Sequence, residues 1–379
     1  MNCPLQARRC GGCTRLSVPY EQQLAFKQKY TARLFPGADV YPIIGMETPY
    51  HYRNKVISAF AHDKSGLISG TFAYGTHYVL PVEECLLENE EADRVVRVLR
   101  GILNARHIKA YDEDRRSGLI RFVQVRYAIK TGEALVTVVT AQEAFPCSDE
   151  IARELMERCP CVKTVVQNVN PRPGSLVLGT REKVLAGPGT IRDEFLGLHV
   201  ILSSRSFYQI NTAQAQVLYQ KALDMSGLRP DDSALDVYCG IGLIGLLASR
   251  QVKRVTGIEI NHSAIQNARS MAKINGAGNV SFLQGDASLM RSMKDISLAL
   301  LDPPRSGLDA AALDALLSLR PERICYISCN PVTQARDLKA LSSAGYRLHA
   351  VQPVDMFPHT DHVETVASLS RQRIAPDDA

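Results

Sequence analysis

The chain has 379 residues, 45% of them hydrophobic and 22% charged, with a formal net charge of +5. That length accommodates two ordinary domains with separate cores, and the composition excludes a wholly disordered chain, which combines low hydrophobicity with high net charge. The charge permits a polyanionic partner without requiring one; MNCPLQARRC holds no apolar run of signal-peptide length and no stretch of about 18 apolar residues follows, so a cytoplasmic protein with no membrane partner is expected.

Cys3, Cys10 and Cys13 open the chain as C-x6-C-x2-C. Ten cysteines without an export signal argue against a disulfide framework, because the cytosol keeps thiols reduced. Three so close together read as ligands of zinc or of an iron–sulfur cluster, the fourth ligand being open among Cys85, Cys147, Cys159 and Cys161. Glu21–Leu34 has helical spacing, with no indication of where it packs. Arg94, Arg97, Arg100, Arg106, Lys109, Arg115, Arg116, Arg121 and Arg126 follow, interleaved with Phe122 and Tyr127. They form either a solvated helix face followed by a hairpin or a phosphate-contacting surface. Ile120–Val125, Ala134–Thr140 and Thr164–Val169 read as antiparallel strands, separated by turn signals such as Thr131-Gly132 and Pro171-Arg172-Pro173-Gly174. This β-rich half ends near Ser203–Ser206.

From about Ser233 the texture changes. SALDVYC, VKRVTGIEI, NVSFLQG, ISLALLD, RICYISC and YRLHAVQPV read as strands, and HSAIQNARSMAKING, DAAALDALLSL and PVTQARDLKALSSAG as helices between them. Such alternation predicts an α/β domain with a mostly parallel, doubly wound sheet that binds ligands outside the carboxyl ends of its strands. Disorder is expected at the ends, notably the tail from Arg371.

DVYCGIGLIGL, from Asp236, follows an apolar strand and opens a helix. Gly240 and Gly242 permit a tight turn and close approach of backbone to a ligand, and the helix presents free N–H groups. Glu259 ends the next strand, where a carboxylate can accept hydrogen bonds from both hydroxyls of a ribose. NAD and S-adenosyl-L-methionine both satisfy that pattern. One feature favours the second: Asp302-Pro303-Pro304 closes a later strand. The two prolines lock the backbone so that Asp302 faces the first turn.

Tyr326-Ile327-Ser328-Cys329-Asn330-Pro331 ends the following strand. Proline suits the first position of a helix, so Cys329 sits just before a helix N-terminus, whose macrodipole favours thiolate over thiol. A cysteine at a strand end is by itself more often a small buried hydrophobe; an edge shared with Gly240, Glu259 and Asp302 makes it a candidate nucleophile. A thiolate added to carbon 6 of a pyrimidine turns carbon 5 into a nucleophile for a sulfonium methyl. A base must then remove the carbon 5 proton to expel the sulfur. Glu364, in His359-Thr360-Asp361-His362-Val363-Glu364-Thr365, is the candidate, with an exposed loop carboxylate as the bland alternative. Pro146-Cys147 and Pro160-Cys161 look like the nucleophile motif of cytosine-5 methyltransferases, but they precede the cofactor turn and are read as structural.

Taken together, these residues resemble the RNA uracil-5-methyltransferases from Cys3 to Glu364. SFYQIN at Ser206–Asn211 is similar to a family motif and implies a cofactor contact from Gln209; DVYCGIG implies one from Tyr238. Glu259 matches the ribose-binding acid, Asp302 the DPPR acid, Cys329 the SCNP nucleophile and Glu364 the HVE base. DPPR in place of NPPY disfavours methylation of an exocyclic amine. Leu243 stands where members often carry asparagine, so no cofactor contact is assigned there. The resemblance selects Cys85 to join Cys3, Cys10 and Cys13 and implies a [4Fe–4S] cluster, zinc being the plain alternative, in a structural or RNA-docking role.

What the resemblance implies for the whole chain is a C-terminal Rossmann-like class I methyltransferase domain using S-adenosyl-L-methionine, preceded by an iron–sulfur-containing β-rich domain. The divisions expected are 1–90 with the cluster cysteines, 91–205 as a central β-rich part in contact with RNA, and 206–370 as the methyltransferase domain. Because Cys3 is almost the first residue, the oligonucleotide-binding barrel of some relatives is expected to be absent. That matches the shorter branch, which implies 23S ribosomal RNA as partner, by resemblance at uridine 747, with no obligate protein partner. Another 23S uridine, of the 1939 type, or a tRNA is the alternative. A non-catalytic iron–sulfur RNA-binding protein and an NAD-dependent oxidoreductase are the rivals from other classes; the second leaves Cys329 and the DPP turn unexplained.

Overall fold

The computed structural model describes residues 3–64, 66–172, 174 and 176–372, which divide into two units. The first joins the residues up to Ser17 to Thr48–Thr212, and the second joins Val18–Glu47 to the residues from Ala213 on. The three consecutive segments expected are thus replaced by two interleaved ones: residues 18–47 go to the second unit, while 48–90 share the first with the β-rich residues.

In the first unit a seven-stranded sheet runs in the order Val79–Pro81, Gly66–Phe72, Lys55–Asp63, Ile120–Tyr127, Ala134–Thr140, Val162–Val169, Arg181–Ala186. The helices Glu90–Ala105 and Ser148–Arg158 bury Val95, Leu99, Ile102, Ile151 and Leu155 in one core with Val123, Val136 and Val165 of the sheet. One expected orientation is corrected: Ala134–Thr140 and Val162–Val169 pair in parallel. The helix Ser148–Arg158 lies between them in sequence and carries the chain back to the starting end, as a parallel pair requires. In the expected turn at Pro171–Gly174, Pro173 lies outside the described residues.

Much of the basic run is satisfied internally. Arg100 pairs with Glu83 at 2.7 Å, Arg106 with Glu154 at 2.6 Å and the buried Arg121 with Glu113 at 2.6 Å. Arg126, also buried, donates to the carbonyls of Ser204 and Ser206. For Arg121 and Arg126 the phosphate-contacting reading fails, because a buried guanidinium already committed to protein oxygens does not reach a backbone phosphate.

The second unit is built on an eight-stranded sheet in the order Asp39–Val40, Tyr346–Val354, Glu364–Arg371, Arg323–Ser328, Leu298–Leu301, Ser233–Val237, Arg254–Glu259, Val280–Gln284. All neighbours are parallel except the last strand of the chain, Glu364–Arg371, which is antiparallel to both of its own. Ser233–Val237 and Leu298–Leu301 are buried at every position, as in parallel strands covered on both faces. Leu235, Ile258, Leu301, Leu316, Tyr326 and Leu341 share the core. Every strand and helix expected after Ser233 is present. Arg371, expected to begin a disordered tail, instead closes the last strand and its N–H donates to the Glu322 carbonyl at 2.9 Å; residues 373–379 lie outside the described residues.

The first helix, Tyr20–Leu34, belongs to this unit through a polar face of Gln23, Lys27 and Thr31. Lys27 Nζ lies 2.6 Å from Asp355 Oδ1, both side chains fully buried. The Tyr20 hydroxyl donates to the other Asp355 oxygen at 2.8 Å. Gln23 meets His359 twice, Nε2 lying 3.0 Å from Nδ1 and Oε1 accepting from the backbone N–H at 2.9 Å. Among the described residues, no helix is long and apolar enough to cross a membrane.

Candidate active site

The strand Ser233–Val237 ends in a turn in which Tyr238, Gly240 and Gly242 have φ of 65°, 54° and 81°. A β-carbon on Gly242 would lie 2.7 Å from the Phe282 ring, so both space and backbone conformation demand glycine there. Asp236, wholly buried, accepts from the Gly245 N–H at 3.0 Å through Oδ2, while its Oδ1 has no hydrogen-bond partner. Burial, with repulsion from Asp302 and Glu259, pushes its carboxyl up to about 8. Glu259 braces the turn, Oε2 accepting from the Gly240 N–H at 3.2 Å and Oε1 from the Asn261 N–H at 2.7 Å. Each of those oxygens keeps a lone pair for a ligand hydroxyl. Glu259 and Tyr238 line a cavity of about 320 Å³ with Ile258, Ile260, Asp286 and Asp309. Its volume and mixed lining suit a small molecule with one polar end.

The strand Leu298–Leu301 leads into Asp302-Pro303-Pro304, and the loop beyond is tied to the helix Pro331–Ser343. Asn330 Nδ2 and Thr333 Oγ1 donate to the Arg305 carbonyl at 3.0 and 3.1 Å. Buried Asp337 accepts from the Leu308 N–H at 2.8 Å and from the Tyr326 hydroxyl at 2.7 Å. Asn330 also caps the helix, its side chain accepting from the Val332 N–H at 3.2 Å. Because that helix starts two residues after Cys329, these bonds fix the Asp302 loop and the Cys329 loop to one another.

Glu364 reaches the same edge through sheet register. The last strand pairs antiparallel with Arg323–Ser328, placing Ser328 opposite Thr365, so Cys329 and Glu364 are the next residues outward on neighbouring strands. The junction is locked from behind by buried Gln334, which accepts from Thr365 Oγ1 at 2.7 Å and donates to the Tyr326 carbonyl at 2.8 Å.

Electrostatics link these groups. Burial pushes Asp302 up to about 7. Glu364, 4% exposed, is pushed up to about 8 by burial and by Asp302, against the pull of Arg305. The Cys329 thiol is raised as well, first by burial and then by Glu364 and Asp302; Arg305, which hydrogen-bonds the sulfur, opposes them. Burial and two carboxyl groups thus act on the sulfur against the thiolate preference expected from the helix N-terminus. The sulfur is not sealed in: Cys329 is half-buried and lines a groove of about 230 Å³ with Tyr30, Arg305, Asn330, Asp361 and His362.

The structure thus brings Tyr238 and Glu259 together at one cavity, and Cys329 and Glu364 together with Asp302, whose charge also acts on Asp236. Gln209 belongs to the first unit, where its carbonyl accepts from Asn54 Nδ2 at 2.8 Å. Burial raises the Cys13 thiol first, and Cys10 and Cys3 add to it, so the three are electrostatic neighbours. Cys85 is pushed up to about 12 by burial and Glu88, and its N–H donates to Asp93 at 2.9 Å. Among the described residues, no group of three or more His, Cys, Asp and Glu could hold a metal ion. The four-thiolate site expected of Cys3, Cys10, Cys13 and Cys85 thus has no support among the described residues. Cys147 is exposed, Cys161 half-buried and Cys159 buried, all in the first unit. Arg305 and Tyr30 were not singled out from the sequence; Arg305 could have been, since it follows the DPP element directly.

The tRNA (uracil-5-)-methyltransferase family matches residues 197–372. An uncharacterized RNA methyltransferase of Halalkalibacterium halodurans is 38% identical over 378 residues, covering 97% of this chain and 82% of that protein. Another, from Oceanobacillus iheyensis, is 40% identical over 374 residues, with 95% and 81% covered. The crystal structure of the Pyrococcus abyssi tRNA (uracil-54, C5)-methyltransferase in complex with S-adenosyl-L-homocysteine is similar at a TM-score of 0.81 and 27% identity, over 97% of this chain and 87% of that one. With relatives alike over nearly its full length and a family match across the sheet that carries Cys329 and Glu364, the chain belongs to the RNA uracil-5-methyltransferase family.

Proposed function

We propose that this chain transfers a methyl group from S-adenosyl-L-methionine to carbon 5 of a uridine in 23S ribosomal RNA through a covalent adduct on Cys329. The observation that carries the proposal is the placement of Cys329 and Glu364 at neighbouring strand ends, with Asp302 acting on both and on the glycine turn. The cavity beside that turn fits the cofactor: Glu259 offers its remaining lone pairs to the ribose hydroxyls, while Tyr238 and Ile260 wall the adenosyl group. The S-adenosyl-L-homocysteine in the Pyrococcus abyssi structure supports this choice. Gln209 is assigned to the cofactor by resemblance alone.

Cys329, once ionised, adds its sulfur to carbon 6 of the uracil; the double-bond electrons move to the oxygen on carbon 4, and carbon 5 becomes an enolate carbon. Carbon 5 displaces the methyl group from the sulfonium, which becomes a neutral thioether. Glu364 then takes the carbon 5 proton, the ring double bond re-forms, and the sulfur of Cys329 leaves as thiolate. A carboxyl near 8 suits a group that accepts a proton and returns it to solvent on each turnover. The positive sulfonium offsets the carboxylate repulsion that raises the thiol, so cofactor binding favours the reactive thiolate.

The ribosomal target rests on resemblance alone, at uridine 747. A tRNA target is the second reading, favoured by the names of the matching family and of the Pyrococcus abyssi enzyme. RNA from a strain lacking the gene, methylated by the purified chain with labelled cofactor and mapped by mass spectrometry, distinguishes them. Label in 23S RNA supports the first and label in tRNA the second, while turnover retained by Cys329→Ala removes the mechanism. The iron–sulfur reading of Cys3, Cys10, Cys13 and Cys85 stays with resemblance and carries no step here; iron and acid-labile sulfide in protein purified without oxygen test it.

A further inference from the structure

We propose that the first helix carries a stacking platform, made by the rings of Tyr30 and Phe26, for an RNA base adjoining the methylated uridine. The proposal rests on the function above, since it takes the RNA strand to pass Cys329. Tyr30 lines the same groove as Cys329. Phe26, one helical turn earlier, is 45% exposed, and its ring lies parallel to that of Tyr30 within 3°, the centroids 6.5 Å apart. A single exposed aromatic is ordinary on a protein surface. Two rings stacked in parallel, one of them a wall of the groove at the nucleophile, extend from the site.

The occupant follows from chemistry. An enzyme that works on one atom of a base must draw that base from its stack, which leaves the neighbouring bases without a partner. Aromatic side chains replace that partner, and they accept any base because every base has a π face. The cations around the platform fit a strand rather than an isolated base: Lys29 and Arg33 are exposed on the same helix, and Arg305 is exposed at the groove. The platform is also rigid. Its helix is anchored by the buried Lys27–Asp355 pair and by the Gln23–His359 contacts, so a docked base immobilises little that was free before.

The test is steady-state kinetics of the full chain on bulk RNA from a strain lacking the gene, at saturating cofactor. Tyr30→Ala and Phe26→Ala should each raise KM for RNA by about tenfold, with kcat within about threefold of wild type and KM for the cofactor unmoved. Tyr30→Phe should restore wild-type KM, because it keeps the ring. An unchanged KM in both alanine variants overturns the proposal, and so does a Tyr30→Phe defect as large as that of Tyr30→Ala, which would assign the effect to the hydroxyl. Should Tyr30→Ala fail to fold, Phe26→Ala and Tyr30→Phe decide alone. Failure of the underlying function looks different: wild-type protein would then form no covalent adduct with 5-fluorouridine-containing RNA.

Discussion

Replacing Glu364 by glutamine should make the protein more stable, and increasingly so as pH rises. The carboxyl is 4% exposed and is raised from 4.5 to about 8, chiefly by burial. Between those pH values the folded chain holds a proton that the unfolded chain has released, so the folded state binds more protons and loses stability as pH climbs. At about 1.4 kcal/mol for each pH unit, the loss reaches about 5 kcal/mol above pH 8, an upper bound because water admitted by small movements would relieve part of it. Glutamine has the same shape and no charge to desolvate. Asp302 titrates in both proteins, so its own contribution largely cancels in the comparison. Urea unfolding of both proteins from pH 5 to 8, followed by circular dichroism, should show the advantage of Glu364→Gln growing by about 1 kcal/mol per pH unit. Parallel pH dependences would refute the argument, since they would mean that Glu364 titrates like an ordinary surface carboxylate.

The same ionisations govern turnover: kcat/KM should rise with pH through about 8 as Glu364 loses its proton and keep rising above that as the raised Cys329 thiol ionises, and a flat profile in a methyl-transfer assay would remove both from the rate-determining chemistry. Glu259→Ala should raise KM for the cofactor by about ten- to a hundredfold, because it deletes the side chain proposed to accept from both ribose hydroxyls, while KM for RNA stays put; isothermal titration with S-adenosyl-L-homocysteine checks the binding part separately. Lys27→Met leaves Asp355 buried without its counter-charge and should cost about 3–5 kcal/mol in denaturant unfolding, with most of that recovered in the Lys27→Met/Asp355→Leu double variant. Equal stability of the two variants would show that the ion pair is not coupled.

How much of this was legible in the sequence depended on whether the signal was local. The strands after Ser233 announced themselves as short β-branched runs, and Gly240, Glu259, Asp302 and Cys329 each stood at the end of one, where ligands of such sheets bind. The carboxyl base was less legible. Glu364 lies 35 positions beyond Cys329, and only the insertion of the last strand, antiparallel, between Tyr346–Val354 and Arg323–Ser328 makes the two neighbours. No periodicity in a single sequence encodes that insertion. The first helix was harder still, because its buried face is Gln23, Lys27 and Thr31, residues that hydropathy assigns to water. Gln23 and Lys27 are buried because Asp355, His359 and the Phe357 carbonyl, more than 300 residues away in the chain, supply partners at hydrogen-bonding distance, while Thr31 bonds the Lys27 carbonyl within the helix. The protonation of Cys329 was only partly legible for a related reason: the helix N-terminus behind it is visible in the sequence as Asn330-Pro331, but its burial and the two carboxyl groups that act on the sulfur are products of the fold. Motif position thus located the candidate reacting groups, whereas their protonation is set by neighbours that only the assembled sheet edge brings into range, and under the proposed mechanism that protonation decides when Cys329 attacks.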